Sequence, residues 1–209
     1  MKRSIETGFA VALLTCLPVA AFAQAPQAKA PSPPGPVPLP VHQVAAAVQA
    51  APAEMRDGAA VLGYNDARKL VTLREGKNDM VCLADDPSDS ERFHVACYHK
   101  ALEPFMARGR SLRAEGVKGD QVDTVRFKEI KSGALKMPAN PSTLYTLTGP
   151  PTSYDPATNK VTGARWLYVV YIPGATAAST GLSEKAAPGV PWIMFPGTPK
   201  AHIMFFTGM

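Results

Sequence analysis

The chain has 209 residues, of which 46% are apolar and 19% charged, with a net charge of +5. That length supports one domain with a substantial core and is short for two. So modest a charge argues against a nucleic-acid binder, and beyond the N-terminus no apolar run approaches the ~18 residues of a membrane-spanning helix.

Chain order begins with an address. Met1-Lys2-Arg3 supplies positive charge, Phe9 to Leu17 a short apolar run, and Ala21-Phe22-Ala23 the small-x-small pattern that a signal peptidase reads. Together these predict a secretory signal peptide over residues 1–23, cleaved near Ala23, and a periplasmic or secreted protein. Leu13-Leu14-Thr15-Cys16 offers a lipoprotein alternative, but Thr15 is a poor residue before a lipidated cysteine.

Residues 24–52 carry eight prolines, many alanines and one charge, Lys29. Such a segment buries too little apolar area to offset its ordering entropy, so a disordered, partly polyproline tether is expected. It could also offer a Pro-rich ligand to a partner. Within it Val41 to Ala50 is alanine-rich enough for a helix. Pro52 and Gly58 frame a second, short one over Ala53 to Asp57.

The domain proper is expected over residues 53–207. Ala60–Tyr64 and Lys69–Arg74 alternate apolar and polar residues about the turn at Asn65-Asp66, a strand–turn–strand pattern. A second turn, Glu75 to Asp79, leads into Met80–Ala84. After the polar loop Asp85–Glu91, Arg92–Tyr98 alternates again. These four runs predict an antiparallel meander. Two helices follow. The first starts near Pro104, ends at Gly116 and has Phe105, Met106, Gly109 and Leu112 on one face. The second spans Asp120 to Ser132, with Asp120 as cap and Gly133 as stop. Strands return at Thr143–Thr148, Trp166–Ile172, Pro191–Phe195 and His202–Phe206, and the 16-residue connection Gly149–Ala164 should protrude. The pattern predicts an α+β domain: a mostly antiparallel sheet with two helices packed on one face, and one disulfide.

The disulfide follows from cysteine arithmetic. Cleavage removes Cys16 and leaves Cys82 and Cys97, and two cysteines in an exported domain generally pair. A hairpin centred on Asp89-Ser90 sets Cys82 opposite Cys97, Leu83 opposite Ala96 and Val81 opposite Tyr98. Other registers offset the sulfurs beyond bonding reach. No C-x-x-C spacing suggests redox catalysis.

His94, His99, Glu103 and His202 are the candidate ligand or metal residues, since imidazole nitrogen and carboxylate oxygen suit zinc. Their spacing matches no H-E-x-x-H pattern, and half-exposed, hydrogen-bonded histidines are the plainer expectation. His202-x-Met204, with Met194 in the preceding strand, offers imidazole and thioether ligands for copper as Cu(I). Strand alternation instead predicts that one methionine face is core. Ser179-Thr180-Gly181 lacks the G-x-S-x-G elbow of a serine hydrolase and reads as a flexible loop. The acidic run Asp85–Glu91 lacks the glycine and terminal glutamate of a calcium loop and reads as a solvated tip. Arg108, Arg110, Arg113 and Lys118 form a basic helix end that could meet anionic lipid or polysaccharide, and read as a solvated face.

Four segments, Met80–Asp86, His94–His99, Leu102–Arg110 and Trp192–Pro199, resemble a family of exported bacterial proteins with no assigned activity. The resemblance covers about residues 53–206. It implies a shared domain and an envelope location, and carries over no catalytic residue or substrate. The expectation is therefore a non-catalytic, envelope-associated binding domain for a small molecule, glycan or envelope protein. The alternative is a metal-binding protein or metal-assisted enzyme built on His94, His99, Glu103 and His202.

Overall fold

The computed structural model describes residues 35–206. The expected signal peptide, and residues 24–34 of the expected tether, lie outside the described residues.

The rest of the expected tether belongs to the domain. Helix α1, Pro40–Ala47, starts with proline in its first turn and runs into a 3-10 turn at Val48–Ala50. Ala46, Ala47, Ala50 and Ala51 are buried. Their small side chains let the backbone come close, and the Ala47 carbonyl oxygen lies 3.2 Å from Cys97 Sγ. Gln43 locks the helix down: its Nε2 donates to the Tyr64 carbonyl at 2.8 Å while its Oε1 accepts the Tyr64 N–H at 2.7 Å. The domain therefore includes residues 40–52, which corrects the boundary expected at 53. The alanine-rich stretch 41–50 is helical as expected; what the sequence did not show is that its alanine stripe packs into the core of the domain.

Then come β1 (Ala60–Tyr64), β2 (Leu70–Arg74), β3 (Met80–Leu83) and β4 (Phe93–His99). Helices α2 (Glu103–Ala114) and α3 (Gln121–Lys131) follow. The chain finishes with β5 (Ser142–Gly149), the short pair β6 (Tyr154–Asp155) and β7 (Lys160–Val161), β8 (Arg165–Tyr171), the one-turn helix α4 (Ala177–Thr180), β9 (Trp192–Met194) and β10 (His202–Phe206). Eight strands form one sheet in the order β2-β1-β3-β4-β5-β8-β10-β9.

The first four strands are not a meander. β3 pairs with β1, in parallel, rather than with β2. The turn Glu75–Asp79 explains this: the N–H groups of Lys77 and Asn78 both donate to the Gly58 carbonyl, at 2.7 and 3.0 Å. That anchor hooks the chain over the start of β1 and delivers β3 to its far side. The other sheet pairings are antiparallel, and β3–β4 has the expected register, with Cys82 disulfide-bonded to Cys97.

Strand alternation sorts the core into two layers. Val61, Cys82, Val95, Cys97 and Leu147 join the alanines of α1 on one side. Tyr98, Phe105, Val169 and Tyr171 cluster with Met106 of α2 and Ile130 of α3. The architecture is α+β with a mostly antiparallel sheet, and α1, the helix anticipated near 41–50, joins α2 and α3 as part of the domain. Gly116 and Gly133 do close α2 and α3 at positive φ, but Asp120 makes no side-chain cap bond. The long connection 149–164 folds its β6–β7 hairpin back towards α1: the Val161 N–H donates to Gln49 Oε1 at 2.9 Å, and the Tyr154 ring meets His42 edge-on.

Candidate functional site

The four ligand candidates do not come together. His94 and His99 sit five residues apart on β4, on opposite faces and about 16 Å apart along an extended strand. His202 is on β10, separated from β4 by β5 and β8. His99 Nδ1 accepts the Ala101 N–H at 3.2 Å, and its ring lines a shallow groove with Pro138, Asn140 and Thr143. Glu103 is committed to structure: the Tyr98 hydroxyl donates to Oε2 and Arg110 Nη2 to Oε1, the latter at 2.6 Å, pinning α2 to β4. His202 is buried with Nδ1 2.6 Å from the Lys200 carbonyl oxygen. Among the described residues no group of three or more His, Cys, Asp or Glu side chains could hold a metal ion. The four candidates for the alternative zinc reading are thus not gathered into one site.

His94 opens onto a cleft with other ionisable groups. The cleft, of about 240 Å³, lies beside α2 at the β1–β3–β4 end of the sheet. Tyr64 ends β1, Leu83 ends β3, and Asp85 and Asp86 follow at once. His94 and Ala96 come from the facing side of β4, and Arg110 reaches in from α2. Turn geometry in the 85–92 loop fixes the acids: Asp86 Oδ1 accepts the Ser88 N–H and Asp89 Oδ1 the Glu91 N–H, at 2.9 and 3.1 Å. Both are the local side-chain-to-backbone bonds that aspartate favours in turns.

Charge in the cleft is unevenly spent. Asp89 is paired with Arg92 at 2.8 Å. Arg110 is held by Glu103 and by the Tyr98 hydroxyl, the latter at 2.9 Å. Among the described residues no cation forms an ion pair with Asp85, though Arg92 attracts its charge from a distance; its Oδ1 accepts the His94 backbone N–H at 2.7 Å. Burial pushes its carboxyl up to about 6, against the pull of that hydrogen bond and with some repulsion from Asp89 and Asp86. Burial, together with the charges of Asp86 and Asp85, pushes the Tyr64 phenol up to about 12. Burial also lowers the pKa of His94, whose Nδ1 is 2.8 Å from the Thr148 hydroxyl. The cleft thus brings together an imidazole and a phenol whose charged forms burial disfavours and the half-buried carboxyl of Asp85.

Sequence reasoning named His94 but missed its neighbours. Asp85 and Asp86 read as a solvated tip and Arg110 as a solvated face. The available signal was that two acids follow a strand whose hairpin partner carries a histidine at its second residue. In the basic helix end Arg108 is tied up as Arg110 is: it forms a two-pronged bond to Glu129, at 2.9 and 2.8 Å, and also reaches Glu115. Ser179 is in helix α4 rather than a loop, where it and Thr176 form a reciprocal capping box.

Comparison with family models, with curated proteins and with solved structures found no match.

Proposed function

We propose that the chain is an exported, non-catalytic binding domain that takes a small amine-bearing solute in the cleft between the sheet and α2, with α2 and α3 packed on that same face. The observation that carries this is the uncompensated carboxylate of Asp85, half-buried beside Asp86 while the neighbouring arginines are already paired. An ammonium group would replace the water that Asp85 has lost and return its charge to a paired state. The Tyr64 ring adds an aromatic surface suited to a cation, and Leu83, Ala84 and Ala96 give the solute an apolar floor. A cleft of this size is below the ~300–1,000 Å³ of drug-sized pockets and suits a small solute.

Export is supported by the N-terminal signal pattern, by the resemblance to exported proteins and by the buried disulfide, a bond that persists in oxidising compartments. The non-catalytic reading rests on the cleft's polar groups being engaged with structural partners: Asp85 with the His94 N–H, His94 with Thr148, Arg110 with Glu103.

Thermal-shift measurements against matched small amines, carboxylates and neutral sugars test the proposal, because a ligand preferring the folded state raises the melting temperature. Amines should stabilise the protein at pH 7.5 and lose that effect below pH 6, as Asp85 protonates. Equal or larger shifts from carboxylates or sugars, or an amine shift retained by Asp85→Asn, would overturn it.

A further inference from the structure

The geometry points to a second site, unrelated to the cleft: a soft-metal site for Cu(I) on the β9–β10 hairpin, formed by His202, Met194 and Met204 with Trp192 beside them.

The register places these side chains together. His202 stands opposite Met194, and Met204 opposite Trp192. Directly opposed residues of an antiparallel pair share a face, as do residues two apart on one strand. All four side chains therefore rise from one patch, with Cβ atoms about 5 Å apart across the strands and about 7 Å along them. One imidazole and two thioethers are soft, neutral donors that favour Cu(I) over zinc, calcium or magnesium. The indole face adds attraction for a cation at low desolvation cost.

The imidazole is already oriented for this task. A carbonyl can only accept, so the 2.6 Å contact between His202 Nδ1 and the Lys200 oxygen places the proton on Nδ1. That leaves the Nε2 lone pair free, the tautomer and backbone tether that metal-binding histidines generally use. The rings of Tyr171 and Phe195, centred 5.1 and 5.7 Å away, fix the plane.

The methionines are also available. Alternation predicted that one methionine face would be core, but Met194 and Met204 are half-buried and belong to neither hydrophobic cluster. Met106 and Met137, by contrast, pack against the second cluster.

The test uses the purified chain with its disulfide intact and Ag(I), a redox-stable probe of the same softness, added as silver nitrate in chloride-free buffer. Trp166→Phe leaves Trp192 as the remaining tryptophan. We expect one equivalent of Ag(I) to bind and to quench Trp192 fluorescence, while Zn(II) does neither. Met194→Leu with Met204→Leu, which preserves volume, should weaken Ag(I) at least 100-fold without changing the melting temperature, and Met106→Leu should leave affinity unaltered. Failure to bind one equivalent, or a loss of tenfold or less in the double variant, would overturn the assignment.

Discussion

Asp85 and His94 are joined across the β3–β4 connection by a single hydrogen bond, Asp85 Oδ1 accepting the His94 backbone N–H at 2.7 Å. That bond holds a carboxylate at the cleft, where burial raises its pKa to about 6. An acid whose folded pKa is raised binds more protons folded than unfolded between its ordinary value, near 4, and about 6. Stability therefore falls as pH rises through that window. Asp85→Asn keeps an acceptor for the His94 N–H but carries no charge. It should raise stability at pH 7 by about 1 kcal/mol after allowance for solvent screening, and make no difference at pH 4. Urea denaturation at the two pH values checks this.

Asp123 works in the opposite sense. It bridges Arg126 and Lys200, the latter at 2.7 Å, and the Arg126 guanidinium stacks 3.7 Å from the centre of the Phe105 ring. Burial opposes the Asp123 charge, but the hydrogen bonds from Lys200 and Arg126 prevail and hold its pKa below the ordinary carboxylate range. Its contribution is thus present above the unfolded pKa and disappears as pH falls through the lower folded value. Asp123→Asn leaves the buried Arg126 short of its counter-charge and should cost about 2 kcal/mol at pH 7. The deficit should shrink on acidification below pH 4, as read by thermal unfolding across pH.

Gly109 is where α2 yields space to that arginine. A Cβ there would lie 2.8 Å from Arg126 Nη1, and Nη1 already donates to the Phe105 carbonyl at 3.1 Å. Gly109→Ala would ordinarily favour a helix by up to about 1 kcal/mol. Here it should destabilise by about 1–2 kcal/mol, because the arginine is pinned by its stack and its bonds. Chemical denaturation of the single variant is the check.

Much of this was legible beforehand, and the exceptions share a cause. The Cys82–Cys97 pairing and the register around it followed from spacing alone, because a period of two and the reach of a disulfide leave one solution. The strands at 143–148, 166–172 and 202–206 followed from alternation. What failed was information held between elements. The parallel β1–β3 pairing depends on two N–H groups finding the Gly58 carbonyl, and the helix anticipated at 41–50 docks into the domain through alanines that carry little hydrophobic contrast. Arg126 drew no notice in the sequence because no pattern within α3 reveals the Phe105 ring beneath it. The cleft was hidden likewise, since Asp85, His94 and Arg110 meet through tertiary structure and not through any spacing.

The alanine helix gives a truncation test. A chain beginning at residue 38 should melt cooperatively within a few degrees of one beginning at residue 24. One beginning at residue 53 loses the buried Ala46, Ala47, Ala50 and Ala51 and the paired bonds of Gln43 to Tyr64. It uncovers the sheet face around Val61 and Val95, and should fail to give a cooperative transition in scanning calorimetry.

The disulfide closes a loop with a sequence separation of 15 residues. Replacing both Cys82 and Cys97 by alanine should cost roughly 3 kcal/mol in the chain-entropy account. Affinity for an amine at the cleft should persist at temperatures where the variant stays folded, as calorimetric titration would show.

An amide-resolved NMR titration with ethanolamine at pH 7.5 addresses the cleft most directly. The predicted result is saturable shifts concentrated at Ala84, Asp85, His94 and Ala96, abolished in Asp85→Asn, with no such shifts from glycerol. Shifts clustered elsewhere on the sheet, or none at saturating amine, would contradict the assignment of the cleft as a binding site.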